Sequence, residues 1–288
     1  MALSVLCSLL CTMALYGQER VISGKVVDSS GEGIEYVSMG VAGTNFSGIS
    51  DAGGNFSLRI PEYVLDKDLV FAHLSYNEMS IPADSLISAY NAAAARGGTF
   101  LITLEQRQLN IAPITVTAGR LRTKNLNSVG VILRSFGAYH IRPWPYRNQP
   151  PTGGAEGINN GYIMEFERST WITQLELTVL HNSFDSMVFR FVAYRIEDDG
   201  SYTPLMHSPH YLNLEKAYRS KTYKWDVSEL NIYSSGQVYI GIDMVYDSDR
   251  GEIKMPVYNQ PSYYRNMATG IMHKESHSIG LKIRGAEL

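Results

Sequence analysis

From Val21 onward the chain breaks into short apolar runs separated by turn residues: Val21–Val27, then Asp28-Ser29-Ser30-Gly31, Ile34–Val41, and Gly43-Thr44-Asn45. Strands this short at this spacing close into a sandwich or a barrel. Gly53-Gly54-Asn55, between Ile49 and Leu58, predicts a tight hairpin whose glycine supplies a positive φ. Leu69 to Leu74 is apolar without interruption, as a strand buried on both faces requires. One interval departs from this pattern. Ala83 to Arg96 carries four consecutive alanines and is followed by Gly97-Gly98, which predicts a helix and its stop.

The strand pattern resumes after Gly157, at Tyr162–Phe166, Trp171–Leu180, Met187–Ile196, Tyr223–Val227 and Gln237–Val245. Phe189, Phe191 and Ala193 alternate with Arg190, Val192 and Tyr194, which predicts a half-buried strand with one core face and one more polar face. Between the two series, Gly119 to Thr152 is rich in proline and glycine and reads as a rigid, extended connector. A chain of 288 residues has room for two cores, at roughly 100–200 residues each. The excess of tyrosine, 19 against 3 Trp and 9 Phe, also favours strands.

The succession Gly24-Lys25-Val26-Val27-Asp28, Gly31 to Val37, Gly43-Thr44, Ser50 to Leu58 and Phe71 to Tyr76 resembles the carboxypeptidase-regulatory-like domain of Bacteroidota envelope proteins. Two departures are Ser75 before Tyr76, where that family more often has glycine, and the inserted Ala83–Arg96 interval. The resemblance implies a small β-sandwich with no catalytic position and no peptidase activity. Leu109 to Ala118 is similar to the segment that follows this domain in TonB-dependent outer-membrane receptors. The residues after Ala118 are too few for a plug and a barrel of up to about 22 strands, so a shared module is implied. Gly161 to Ile163, Leu175 to His181, Phe184 to Arg190, Trp225 to Ser228 and Val238 to Ile242 are together similar to a jelly-roll-like C-terminal region of some such proteins. The expected fold is therefore all-β: a signal peptide (1–17), a small regulatory-like β-sandwich (18–106), a linker with strand-like Ile111–Ala118 (107–155), and a second, larger jelly-roll-like β-sandwich (156–288).

The N-terminus reads as an address. Ala2 to Tyr16 has no charged side chain, is too short to span a bilayer, and is followed by the first charges at Glu19 and Arg20. A buried first strand or helix is the competing reading. Both cysteines, Cys7 and Cys11, lie in this segment, so the mature chain would have no disulfide, thiolate nucleophile or Cys-ligated zinc. The net charge of −3 and the short Arg120, Arg122, Lys124 cluster give nucleic-acid binding no electrostatic support. No transmembrane segment is expected in the mature chain, which is placed in the periplasm or at the outer-membrane surface.

No nucleophile elbow or phosphate-cradling loop is present, and the chain is read as no enzyme. His207-x-x-His210 and His273-x-x-x-His277 have spacings that can serve a metal, but the spacing alone is weak evidence and polar loop or strand histidines are the plainer reading. Asp247, Asp249 and Glu252 around Gly251 supply the hard oxygens that a structural calcium takes, against the plainer reading of an acidic surface hairpin. No other cofactor is expected. Trp144, Tyr146, Trp171, Tyr263 and Tyr264 offer flat apolar faces that stack on sugars or anchor a protein, with core packing the alternative. The function expected is a non-catalytic binding or scaffold protein of the cell envelope, its partner an envelope protein or a glycan. The alternatives are a glycan-binding module or accessory domain of a carbohydrate-active enzyme, and a partner of a TonB-dependent receptor that uses Ile111–Ala118 as an added strand.

Overall fold

The structure, a computed structural model, describes residues 19–44, 46–108, 122–128, 130, 132–138, 158–248 and 251–288, leaving aside the side chains of 19, 132–138, 158 and 247. The expected signal peptide, the Ile111–Ala118 strand, Trp144, Tyr146, Asp249 and the Asp247 side chain lie outside the described residues. The chain is all-β, with a single α-helix among the described residues. No helix among them is long and apolar enough to cross a membrane.

Two sheets form the first sandwich. In one, β1 (Glu19–Val27) lies between β4 (Asn55–Pro61), antiparallel to it, and β7 (Leu101–Thr103), parallel to it. In the other, β3 (Ser47–Ile49), β2 (Ser38–Val41), β5 (Asp68–His73) and β6 (Tyr76–Pro82) lie side by side in that order. Ile22, Phe56, Leu58 and Ile60 of the first meet Met39, Val41, Leu69 and Phe71 of the second in one core. Along β4 these alternate with exposed Ser57 and Arg59, so that sheet keeps one face in water.

The Gly53-Gly54 turn forms, with Gly54 at φ +82°. The side chain of Asp51 fixes it by accepting the N–H groups of Gly53 and Asn55, each at 2.8 Å. It does not close a hairpin, because β3 and β4 belong to different sheets, and the turn carries the chain across the sandwich. The predicted helix, α1 (Ala83–Ala95), ends where its glycines place the stop. Gly97, at φ +69°, and Gly98 donate to the carbonyls of Ala94 and Ala93 at 2.9 and 3.2 Å.

The second sandwich is organised by two long strands, β10 (Ile158–Val179) and β16 (Ile232–Asp247). The first half of β10 pairs with β16 and with β18 (Ser262–Asn266); beyond them lie β12 (Met187–Ile196) and β19 (Met272–Glu275). The second half of β10 pairs with β15 (Lys221–Asp226) and β20 (Lys282–Glu287). Register shifts at 166–170 and 172–174 mark the bulges that let one strand serve both layers. The sequence predicts two strands here. The structure has one, because the intervening residues keep extended pairing through the bulges. Two stretches of the expected connector are also strands. β8 (Lys124–Asn125) pairs with β20, and β9 (Ile132–Ala138) pairs with β17 (Ile253–Tyr258). Asn127 pins the first of them, its side chain bonding the Ile283 N–H and the Leu281 carbonyl at 2.8 and 2.9 Å.

β12 departs most from expectation. Phe189, Phe191 and Ala193 enter the second core as predicted, but the opposite face is buried too. It lies against the outer face of the β2–β5 sheet, where Val70, Ala72 and Leu74 pack with Val192, Tyr194, Tyr239 and Met267. Leu69 to Leu74 is thus buried on both faces, as its composition predicts. The tip of the β18–β19 hairpin is part of this seam. Met267, Ala268 and Thr269 are buried, and the Thr269 methyl group occupies the space that a side chain at Gly40 would fill.

The polar residue on the buried face of β12 is neutralised in place. Arg190 is paired across the ladder with Asp243 on β16, and neither side chain is exposed. Its Nη2 and Nε donate to the two carboxylate oxygens at 2.7 and 3.2 Å. Its remaining donors reach the first sandwich, at the Tyr36 carbonyl (2.7 Å) and Ser38 Oγ (3.1 Å). Burial opposes the charge on Arg190, and the Asp243 carboxylate more than restores it. Close by, burial first and the Arg190 and Arg107 charges second push the imidazole of His73 down to about 3.

Removing one partner of a buried pair leaves the other charge alone, so Arg190→Met and Asp243→Asn are each expected to cost about 3–5 kcal/mol. The double variant R190M/D243L should cost less than either, as read by chemical denaturation. His73 generates a pH dependence. The unfolded chain takes up this proton near the ordinary value of 6.5, and the folded chain only near 3. The unfolded state therefore binds more protons in between, and stability, full above that range, falls as pH drops through it. The loss at pH 5 is about 2 kcal/mol. Thermal melts from pH 7 to 5 should show it, and His73→Gln should flatten the slope.

Candidate functional site

Of the aromatic residues picked out in the sequence, Trp171 lies in a cleft. The cleft has a volume of about 450 Å³ and is bounded by Trp171, Thr173, Gln174, Lys224, Asp226 and Ser228. A bulge builds it. Ile172 and Leu175 both point into the core although three positions separate them, which simple alternation forbids. The extra residue falls at Thr173, between the pairs Ile172–Gly285 and Gln174–Arg284. It turns Thr173 and Gln174 to the same outward side as Trp171. Across the ladder Gln174 faces Asp226, and Lys224 stands two residues along the same strand, on the same face.

Tyr233, the cross-strand partner of Trp171, stacks against it with ring centres 5.9 Å apart and planes 16° from parallel. This fixes the indole and leaves it half-buried. Asp226 is held by Ser228, whose N–H and hydroxyl donate to one carboxylate oxygen at 2.9 and 2.7 Å. The backbone bond, followed by the hydroxyl bond, keeps that carboxyl below its ordinary value and so ionised. The wall of the cleft thus presents an anchored apolar plane, a cation, an anion and an amide.

Tyr263 and Tyr264 are not brought to this cleft. They are neighbours on β18 and so point to opposite faces. Tyr263 packs at the seam and receives the Tyr239 hydroxyl on its carbonyl at 3.4 Å. Burial pushes the Tyr264 hydroxyl up to about 12. Tyr263 also pairs with Gly161, roughly 30 Å of extended strand before Trp171. Of the acids considered for calcium, Glu252 is paired with Lys254 Nζ at 3.3 Å. Among the described residues no three His, Cys, Asp or Glu side chains are gathered to hold an ion. His210 stacks on Trp225 with ring centres 5.7 Å apart, while His207 is exposed.

Gln174, Lys224 and Asp226 were not singled out in the sequence. The available signal was the broken alternation from Trp171 to Leu175, which marks a bulge and hence a local turning of side chains.

No protein-family model and no curated protein matches the chain. Among solved structures it is similar to infectious bursal disease virus of the Gt and Gx strains, each at 11% identity and a TM-score of 0.28, over 94% of this chain and 65% and 64% of those chains. A T13 particle of the same virus aligns at a TM-score of 0.23 over 62% of its chain. The chain spans somewhat less than two thirds of the length of these structures.

Trp171 lies outside the core and Trp225 within it. Trp171→Ala is expected to cost about 1–2 kcal/mol, and Trp225→Ala about 3–5 kcal/mol. Denaturant melts followed by far-ultraviolet circular dichroism measure both.

Proposed function

We propose that the chain is a non-catalytic binding module of the bacterial cell envelope, with the first sandwich serving as adaptor and the second presenting the recognition surface. The observation that carries this reading is the Trp171 cleft. A sugar ring has an apolar C–H face and a rim of hydroxyls. Trp171 answers the face, and Gln174, Lys224 and Asp226 answer the rim. A saccharide is favoured over a protein partner because a cleft of about 450 Å³ is of small-ligand size, whereas a stable protein interface covers about 800 Å² on each partner. The resemblance of residues 18–106 to regulatory-like domains supports an envelope location, in the periplasm or at the outer-membrane surface. A role for Ile111–Ala118 as a strand added to a receptor rests on residues outside those described.

Screening the whole chain against a panel of envelope and dietary glycans is expected to give binding without hydrolysis. Trp171→Ala should weaken it about tenfold or more, the equivalent of about 1.4 kcal/mol. Turnover of any glycan would point instead to a carbohydrate-active enzyme. Binding untouched by the substitution would remove the cleft from the reading.

A further inference from the structure

The seam between the sandwiches contains a recess of about 50 Å³. Three of its lining residues, Arg265, Tyr194 and His73, are more than nine-tenths buried. Each has a buried polar atom whose donor capacity the described residues leave unfilled: Arg265 Nη1, the Tyr194 hydroxyl, which can accept from the neighbouring Arg265 and still donate, and His73 Nε2. All three can act as donors. A guanidinium nitrogen can do nothing else. His73 Nδ1 accepts the backbone N–H of Ser75 at 3.2 Å, so the single proton of the neutral ring sits on Nε2.

Arg265 is also held in position. Its guanidinium carbon lies 4.7 Å from the ring centre of Tyr194 and 4.1 Å from that of Tyr202. The two rings stand 83° apart, so at most one lies flat on the guanidinium, and together they fix its position beside the recess. Arg107 and Glu78 complete the charged lining, giving two cations to one anion. Donors, excess positive charge and a small volume together select an acceptor that is anionic, compact and flat.

We propose that this recess binds a carboxylate group, gripped by Arg265 with Tyr194 and His73 as further donors. The space admits little more than the carboxylate itself, which can belong to a free small acid or to the end of a longer chain. Since Ala72 and His73 come from one sandwich and Arg265 and Tyr194 from the other, an occupant bridges the two. This site is separate from the Trp171 cleft and does not depend on the glycan reading.

The test uses the full chain with ¹³C-labelled methionine methyl groups. Met267 lines the recess, and its signal is assigned by its loss in Met267→Leu. Titration with acetate or formate should move the Met267 signal saturably, and chloride and sulfate at equal ionic strength should not. N-acetyl-dialanine, compared with its C-terminal amide, separates the sources. A shift with the acid but not the amide assigns the site to chain ends as well, and a shift with acetate alone restricts it to free acids; either result supports the proposal. Arg265→Gln should abolish the response, and Glu78→Gln, which removes the competing negative charge, should tighten it several-fold. The proposal is overturned if no saturable shift appears, if sulfate reproduces it, or if it survives Arg265→Gln. Should Arg265→Gln fail to fold, Glu78→Gln decides, and an unchanged affinity for acetate overturns the site.

Discussion

Arg190 and Asp243 stand side by side on adjacent strands, cut off from water, and the joining of the two sandwiches depends on them. Taking two charges out of water is costly, and their attraction offsets this only when the geometry is good and the remaining donors are used. Here the guanidinium meets both carboxylate oxygens and then reaches across to Tyr36 and Ser38. Apolar residues alone would bring the β2–β5 face and the β12–β16 face together in many registers. Directed bonds from one guanidinium to a named carbonyl and a named hydroxyl admit one. The ion pair therefore specifies an orientation, and Val70, Ala72, Leu74, Val192 and Tyr239 supply the burial that holds it.

The cores of the two sandwiches flank the packing at the seam, and this middle core differs from the outer two. The outer two are built of aliphatic and aromatic side chains and enclose no ion pair among the described residues. The middle one contains an ion pair, a neutral imidazole and an arginine held between tyrosine rings. Polar groups in such a place need partners, and where the protein does not provide all of them a small recess remains. The Trp171 cleft arises differently, from one extra residue in a strand that has to serve two layers. One concavity follows from joining two bodies, and the other from bending one strand.

Much of this was legible in the residues, and the failures have a common cause. The Leu69–Leu74 run announced burial on both faces, and Ala92–Ala95 with Gly97-Gly98 announced a helix and its end, because each depends on local chemistry. Arg190 misled because a charged residue on one face of a strand normally marks that face as solvent-exposed, and its neutralising partner lies 53 residues away. Gly54 was read correctly as to conformation and wrongly as to connection, since a positive φ fixes a bend without saying which sheet the chain enters next. Trp171 was picked out for its type, while Gln174, Lys224 and Asp226 depend on a bulge and a pairing that no single segment encodes. Tyr263 and Tyr264 share a composition with Trp171 but not a surface, because adjacent strand residues face apart.

The buried hairpin tip at Met267–Thr269 bears on the order in which the molecule can be completed. The first sandwich is finished at about residue 108, yet the outer face of its β2–β5 sheet is covered by Val192, Tyr194, Tyr239 and Met267, the last of which is synthesised much later. At about 5–20 residues per second, that gap lasts on the order of ten to thirty seconds. Through it Val70, Ala72 and Leu74 face solvent on a sheet already formed. A nascent chain in this state is a natural client for a holdase, which would shield that face until the second half has closed over it.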